Sequence, residues 1–126
     1  MNADIYFEKL FATSLKLPLN PIQRPYTVVA SRSHLSPDTE SFIETLKVNH
    51  RELAFISTGS SLKICLVAEG IADVYPRLAP TMEWDTAAGQ AIAENAGCTM
   101  MNFHTKEPVI YNKEQLLNPH FVVMRP

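Results

Sequence analysis

An acidic residue followed by a run of small residues is the chemically most informative feature of this sequence. Residues 84–97 place Asp85 at a predicted helix start and end on Gly97, a residue that readily adopts the left-handed conformation closing a helix. A carboxylate there accepts hydrogen bonds from unpaired amides and is stabilised by the helix dipole, which suits a metal ligand, although simple capping is the commoner use of such an aspartate. The small residues would let a ligand or another backbone approach the first turns: Ala87, Ala88, Gly89 and Ala91.

A second candidate site lies between a predicted strand and a predicted helix. Gly59, Ser60 and Ser61 precede that helix, and backbone amides and hydroxyls at a helix start stabilise a phosphate or a carboxylate. Lys63 falls in the first turn, where a positive charge is unfavourable beside the positive end of the helix dipole. A bound anion would offset this cost. From spacing alone, a solvated lysine on a helix face is an equally good interpretation.

Two further positions offer groups that bind phosphate. The loop after the first predicted strand carries two hydroxyls, a guanidinium and an imidazole, among them Ser33 and His34. Arg77 closes another strand and suits bidentate phosphate binding or stacking on a base. The alternative for Arg77 is an ordinary salt bridge, to Glu69 or Asp73.

The other residue types with chemical potential receive structural interpretations. Trp84 is expected to pack in the core and to have no catalytic role. Cys65 and Cys98 lie in apolar surroundings without metal-ligand spacing and are expected to be buried free thiols. Three histidines have no partner at ligand spacing and are assigned to the surface: His50, His104 and His120.

Together these stretches resemble the inositol monophosphatase family of magnesium-dependent, lithium-sensitive phosphatases. Trp84-Asp85-Thr86-Ala87-Ala88-Gly89 is similar to the C-terminal signature of that family. Residues 29–34, 59–63 and 66–77 resemble its 3'(2'),5'-bisphosphate nucleotidase branch, and the similarity extends from about Tyr26 to the C-terminus. The resemblance implies a parent enzyme of sulfur assimilation that hydrolyses adenosine 3',5'-bisphosphate to AMP and phosphate. An inositol monophosphatase or another sugar phosphatase is the alternative within the family.

The resemblance also implies roles for individual residues. Asp85 would be the catalytic residue and a ligand of Mg²⁺, on the leaving-group side of the reaction. The residues that would bind the nucleotide bisphosphate substrate are Ser33, His34, Gly59, Ser60, Lys63 and Arg77.

One part of the family pattern is missing from this chain. The upstream acidic pair and the Asp-Pro-(Ile or Leu)-Asp-Gly-(Thr or Ser) loop do not occur between Met1 and Pro126. Residues 26–126 are therefore expected to be the C-terminal α/β domain, preceded by an N-terminal segment, residues 1–25, that corresponds to a crossing between halves and whose first four residues are compatible with a cloning remnant. The other metal ligands would come from the absent N-terminal half, so the chain alone is expected to be inactive. A non-catalytic nucleotide-binding module is the alternative.

The elements that must position these residues alternate between strand and helix. This pattern predicts an α/β fold with a largely parallel sheet flanked by helices, whose ligands collect at the carboxyl ends of strands. Residues 5–17 fit a short helix or an edge strand equally well. Helices are predicted from Ser36, over 60–69 and from Asp85, and strands over 26–30, 52–57, 71–75, 99–102, 109–112 and 121–124.

Length and composition set the outer limits. The 126 residues suffice for one domain, and a net charge of −2 argues against binding a nucleic acid polymer. No apolar run is long enough to span a bilayer, and the N-terminus lacks a secretory signal, which predicts a cytoplasmic protein. The apolar residues of 5–17 would be surface that the absent half covers, which makes a homo-oligomer plausible.

Overall fold

The computed structural model describes residues 3–19, 23–30 and 35–126 as four helices and five strands. In chain order these are α1 (Ala3–Thr13), β1 (Tyr26–Val29), α2 (Pro37–Asn49), β2 (Leu53–Ile56), α3 (Leu62–Glu69), β3 (Val74–Arg77), α4 (Glu83–Asn95), β4 (Thr99–Asn102) and β5 (Phe121–Met124).

The strands form one mixed sheet in the order β2-β1-β3-β5-β4. β1 pairs in parallel with both β2 and β3, whereas β5 runs antiparallel to β3 and to β4. Four strands therefore point in one direction and β5 in the other. The expected α/β class and the mostly parallel sheet are confirmed.

The sheet is buried on both faces. Neighbouring residues of one strand point to opposite faces, and in this sheet they belong to two different cores. Val28 and Val122 belong to a core that includes Ile43 of α2. Val29 and Val123, the next residues along those strands, belong to a second core. That core also contains the buried residues of α3 and α4: Ile64, Val67, Ala68 and Ala93.

Several predicted helix ends agree with the structure. The Ser36 hydroxyl accepts a hydrogen bond from the amide of Thr39, and Pro37 takes the first position of α2. Gly70 and Gly97 have φ values of +86° and +85°, so both supply the left-handed residue that follows a helix.

Some element boundaries differ from the prediction. α3 begins at Leu62 rather than Ser60, because Ser60 has a φ of +59°, which is outside the helical region. β3 begins at Val74 rather than Ile71, because the amides of Ile71 and Ala72 both donate to the carbonyl of Leu66 and close α3.

No strand forms over the predicted range 109–112. The preceding residue, Pro108, makes a single bridge to Met101, and the amide of Val109 donates to Met100 at 3.3 Å. Proline lacks the amide proton that a ladder needs, which limits the pairing to this bridge. The segment that follows has another use, which is described with the site.

The N-terminal segment contains a helix, one of its two predicted alternatives. α1 has no buried residue, and its apolar side chains are largely exposed. They include Ile5, Phe7, Leu10 and Phe11, with Phe11 84% exposed. None of the described helices is long and apolar enough to cross a membrane.

Candidate functional site

A cleft of about 440 Å³ opens at the carboxyl end of β3. Its walls come from the start of α3, the end of β3 and the start of α4. Four of the predicted site residues line it: Ser60, Lys63, Arg77 and Asp85. The structure thus brings together groups from three separate stretches of the sequence, at the edge where the strand pattern places a ligand.

Asp85 lies in the first turn of α4, and the helix begins two residues earlier than predicted. The helix begins at Glu83, and the amide of Met82 donates to Asp85 Oδ2 at 2.8 Å. The Asp85 amide in turn donates to the Met82 carbonyl at 2.9 Å. The carboxylate is therefore oriented by the backbone, as expected, but from the third helical position rather than the first. It remains exposed at the cleft.

The small residues of α4 do not all act as expected. Gly89 is buried, and a Cβ built on it would lie 2.9 Å from Cδ1 of Ile64 in α3. The close approach is therefore between two helices. Ala87, Ala88 and Ala91 are exposed instead.

The segment after Pro108 holds the start of α4 in place. The Glu83 amide donates to the carbonyl of Leu116 at 3.0 Å, and the Asn118 side chain donates to the carbonyl of Met82 at 2.9 Å. The Glu83 carboxylate accepts from the amides of Asn112 and Lys113 and from Lys113 Nζ, and this ion pair lowers the pKa of Glu83. This irregular segment thus positions Asp85 indirectly, a role that the strand prediction missed.

The loop before α3 contains one residue in a left-handed backbone conformation. Ser60 adopts a left-handed conformation, which costs a non-glycine residue about 1 kcal/mol. Ser61 precedes the helix without a capping hydrogen bond from its side chain. Neither hydroxyl has a hydrogen-bond partner in residues 3–19, 23–30 and 35–126, so both are available to a ligand at the cleft. Gly59 is exposed beside them, and a Cβ there would meet nothing within 4 Å.

Lys63 and Arg77 form the cationic part of the cleft. Lys63 Nζ lies 5.6 Å from the centre of the Tyr75 ring, and its pKa is lowered by burial and by the nearby Arg77. Tyr75 was not singled out from the sequence, since its position under Lys63 depends on the packing of β3 against α3. Burial raises the pKa of Tyr75, so the ring is neutral at physiological pH.

Arg77 has an unused hydrogen-bond donor. Its Nη2 donates to the carbonyl of Pro80 at 3.3 Å, whereas its Nε is buried without a partner. The alternative salt bridge to Asp73 is not formed, because Asp73 pairs with Arg24 and Arg125. Among the described residues, no carboxylate forms an ion pair with Arg77, Glu69 included.

Trp84 also lines the cleft, and the prediction that it packs in the core is wrong. Its side chain is 67% exposed and borders the cleft rather than the core. The buried face of α4 is formed by other residues: Glu83, Thr86, Gly89, Gln90 and Ala93.

The remaining predicted residues either fall outside the described part of the chain or belong to other parts of the fold. Ser33 and His34 fall outside the described residues. His50 is half-buried and stacks on Tyr26, with ring centres 3.7 Å apart, which corrects its surface assignment. Both cysteines are free: Cys98 is buried, which raises its pKa, and Cys65 is half-buried.

The described residues contain one acidic group suited to a metal in this cleft. Asp85 uses Oδ2 for the Met82 amide, and the second oxygen is available. Mg²⁺ takes six oxygen ligands, some of them water. No group of three or more histidine, cysteine or acidic residues that could hold a metal occurs within the described ranges. Asp85 therefore fits a single ligand of a magnesium site and does not form one by itself.

The profile of the inositol monophosphatase family matches residues 6–123. The chain belongs to this family. The match begins before Tyr26, so it includes most of α1 as well as the sheet.

Relatives within the inositol monophosphatase family include CysQ of Escherichia coli strain K12, a 3'(2'),5'-bisphosphate nucleotidase. This chain is 46% identical to it over 101 residues, which cover 79% of this chain and 39% of CysQ. The crystal structure of CysQ from Bacteroides thetaiotaomicron has 54% identity and a TM-score of 0.85, covering 94% of this chain and 44% of that one. The chain thus spans about two fifths of the length of these relatives.

A more distant structure shares the fold. Inositol monophosphatase II from Staphylococcus aureus MSSA476 is 20% identical, with a TM-score of 0.67, over 90% of this chain and 41% of its own. The predicted family resemblance and the predicted fold class are therefore confirmed.

Proposed function

We propose that this chain is the substrate-binding and part of the metal-binding half of a magnesium-dependent 3'(2'),5'-bisphosphate nucleotidase, which hydrolyses adenosine 3',5'-bisphosphate to AMP and phosphate. The observation that carries this proposal is the juxtaposition of Lys63, Arg77 and Asp85 at one cleft, with neither cation paired to a carboxylate in the described part of the chain. The identity to two CysQ proteins favours a nucleotide as the substrate.

In this proposal the two cations bind a phosphate of the substrate. The guanidinium of Arg77, which pairs with no carboxylate among the described residues, donates to a phosphate oxygen through a terminal nitrogen, and Lys63 adds a second positive charge. A bound anion also relieves the repulsion between the two cations and restores the pKa of Lys63 towards its usual value. Ser60 and Gly59 contribute a hydroxyl and an open backbone at the helix start, and Ser33 and His34 are proposed as further contacts.

Asp85 is proposed as a ligand on the metal side of the cleft. When bound, magnesium would polarise the scissile phosphoryl group and supply a hydroxide for in-line attack. Asp85 contributes one oriented carboxylate oxygen, and the backbone of Met82 holds it in place. The other ligands are proposed to belong to a complementary half, with residues 26–126 as the C-terminal domain and residues 1–25 as the crossing segment.

Calorimetric titration of the purified chain with adenosine 3',5'-bisphosphate tests the binding role. Because a hydrogen bond to a charged group is worth about 1.5–3 kcal/mol, Arg77→Met and Lys63→Met should each weaken binding at least tenfold. Arg51→Met removes an exposed arginine outside the cleft and should have no effect. An equal loss in all three variants, or no binding by the unaltered chain, would contradict the proposal.

Hydrolysis is tested separately, because the chain alone is proposed to be inactive. Fused to the part of Escherichia coli CysQ that it does not match, it should release phosphate from adenosine 3',5'-bisphosphate faster than from inositol 1-phosphate. The reverse preference would indicate an inositol or sugar phosphatase. Nucleotide binding without hydrolysis in this fusion would support a non-catalytic module, which the single suitable carboxylate of the described residues also favours.

The exposed face of α1 is proposed to contact protein. In a complete enzyme the complementary half would cover it, and without that half a second copy of the chain would do so. The partner of the cleft is a small nucleotide bisphosphate, with no nucleic acid polymer. We assign the protein to the cytoplasm, in line with its nucleotide substrate.

A further inference from the structure

Tyr75 is a buried residue that lines the cleft. It lies in β3, is 7% exposed and belongs to the core that contains the buried residues of α3. Its ring packs edge-on against Phe121, which is 1% exposed, with ring centres 6.0 Å apart and planes at 87°. A ring enclosed in this way has little freedom to turn, because protein interiors are close-packed. Tyr75 is therefore a rigid aromatic surface that is held by residues of this chain.

Lys63 occupies an unfavourable position above this ring. It lies in the first turn of α3, beside the positive end of the helix dipole. Burial and the nearby charge of Arg77 both lower the pKa of Lys63, so both disfavour its charged form there. Within residues 3–19, 23–30 and 35–126, no carboxylate forms an ion pair with Lys63 that would offset these effects. A flexible lysine side chain in such surroundings would turn into solvent unless another group attracted it.

The face of the Tyr75 ring supplies that attraction. Lys63 Nζ lies over the ring, 5.6 Å from its centre, which is within the distance of about 6 Å at which an aromatic face attracts a cation. Tyr75 and Arg77 are two residues apart in β3, so their side chains leave the same face of the strand. One strand thus brings the ring and the second cation to the same cleft.

We propose that Tyr75 is a positioning residue, whose ring holds the Lys63 ammonium beside Arg77 so that both cations meet the phosphate of the ligand. This inference rests on the proposed function, since it concerns the same cleft. Holding a flexible side chain in place before the ligand arrives reduces the entropy lost on binding. In this role the ring contacts Lys63 rather than the ligand, so removing the ring should weaken binding only while Lys63 is present.

The contact between Tyr75 and Lys63 can be measured without a ligand. Protons above an aromatic ring resonate upfield in NMR spectra, so the ε-methylene protons of Lys63 should be shifted upfield in the unaltered chain and in Tyr75→Phe. In Tyr75→Leu they should move to the position of a solvated lysine. Lys106 is the matched control, because its Nζ lies 4.6 Å from the centre of the Phe103 ring and its shift should not depend on Tyr75. An unchanged Lys63 shift in Tyr75→Leu would overturn the inference.

Calorimetric titration with adenosine 3',5'-bisphosphate tests whether this contact serves binding. Tyr75→Leu should weaken binding about twofold to fivefold, as expected for the loss of an aromatic face under a partly exposed cation, and Tyr75→Phe should recover most of that loss. In a Lys63→Met background, Tyr75→Leu should cause little further loss, whereas a disturbed fold would weaken binding equally in both backgrounds. Val74→Ala is the control for lost packing, because Val74 belongs to the other core and its variant should be less stable with unchanged affinity.

The outcomes distinguish failure of this inference from failure of the proposed function. An equal loss in both backgrounds, no loss in Tyr75→Leu, or no recovery in Tyr75→Phe overturns the positioning role and leaves the phosphate site in place. If the unaltered chain does not bind the nucleotide, the proposed function is wrong, and the role of Tyr75 in binding is wrong with it.

Discussion

Gly89 of α4 lies against Ile64 of α3 so closely that a Cβ on the glycine would be 2.9 Å from Ile64 Cδ1. Ile64 is 2% exposed and belongs to the core between these helices, so its side chain has little space in which to move. This contact limits how closely the two helices can approach, and the N-terminal ends of both helices line the cleft.

Gly89→Ala should therefore destabilise the protein by about 1 kcal/mol. Alanine favours a helix interior by about 1 kcal/mol over glycine, but overpacking a core costs about 1–3 kcal/mol. Chemical denaturation measures the change, with Gly59→Ala as the control, since a Cβ there meets nothing within 4 Å. Ile64→Val removes Cδ1, so Gly89→Ala should no longer be destabilising in an Ile64→Val background. An unchanged penalty in that background would show that another contact is responsible.

Asp73 is the centre of a second structural relationship, a partly buried ion pair with Arg24 and Arg125. Its carboxylate also accepts from the amide of Thr27 at 2.7 Å and is 16% exposed on the side chain. Asp73→Asn should lower the free energy of unfolding by about 2–4 kcal/mol, because two half-buried guanidinium groups lose their counter-charge.

The matched control for Asp73 is an exposed pair. Glu44 and Lys47 form an ion pair on α2 with side chains 66% and 53% exposed. Glu44→Gln should change stability by less than about 0.5 kcal/mol, because such pairs are screened by solvent. Similar losses in Asp73→Asn and Glu44→Gln would mean that burial does not strengthen the Asp73 cluster.

The features predicted well from the sequence are those that depend on local chemistry. Ser36 caps α2 because a serine followed by proline specifies a helix start, and Gly70 and Gly97 end helices because they adopt positive φ. The association of Lys63 with Arg77 was also predicted, but through the family resemblance, because no local pattern relates residues on different elements.

The errors concern features that depend on tertiary contacts. Trp84 was expected in the core because its type is apolar, and the direction of its side chain follows from how α4 packs, which the sequence does not specify. The predicted start of α4 at Asp85 is too late. The helix begins earlier because Asn118, which is distant in the sequence, binds the carbonyl of Met82. The predicted strand after Pro108 does not form, and the contacts of this segment with the start of α4 also join residues that are distant in the sequence.

Acid should destabilise the protein through Glu83. Its pKa in the folded state lies below the usual value, mainly because Lys113 donates to it. A carboxyl group of this kind contributes stability above its unfolded pKa of about 4.3, and the contribution is lost as the pH falls through the folded value. Thermal melts between pH 7 and pH 3 should therefore show a smaller acid-dependent decrease in Tm for Glu83→Gln than for the unaltered chain. Parallel curves for the two proteins would exclude Glu83 as a source of acid sensitivity.

Asp85→Asn should separate folding from metal binding. The amide oxygen of asparagine can still accept from Met82, so the variant should melt within about 2 °C of the unaltered chain. In the fusion with the missing part of Escherichia coli CysQ, phosphate release should fall at least a hundredfold, since a neutral amide is a poor Mg²⁺ ligand. Asp38→Asn alters another first-turn acid, on α2, and should keep its activity. Near-normal turnover of Asp85→Asn would reject its assignment as a ligand.

The apolar face of α1 should make the isolated chain associate. An 11-residue helix without buried contacts is marginal in water, so covering Phe7, Leu10 and Phe11 stabilises it. Light scattering after size-exclusion chromatography should show a mass that rises with concentration, and Phe11→Ser should shift the protein towards the monomer. Val48→Ser is the control, because Val48 on α2 is 83% exposed, almost as much as Phe11. Since removing one apolar group from each face should affect only the face used, an equal shift in both variants would indicate non-specific aggregation instead.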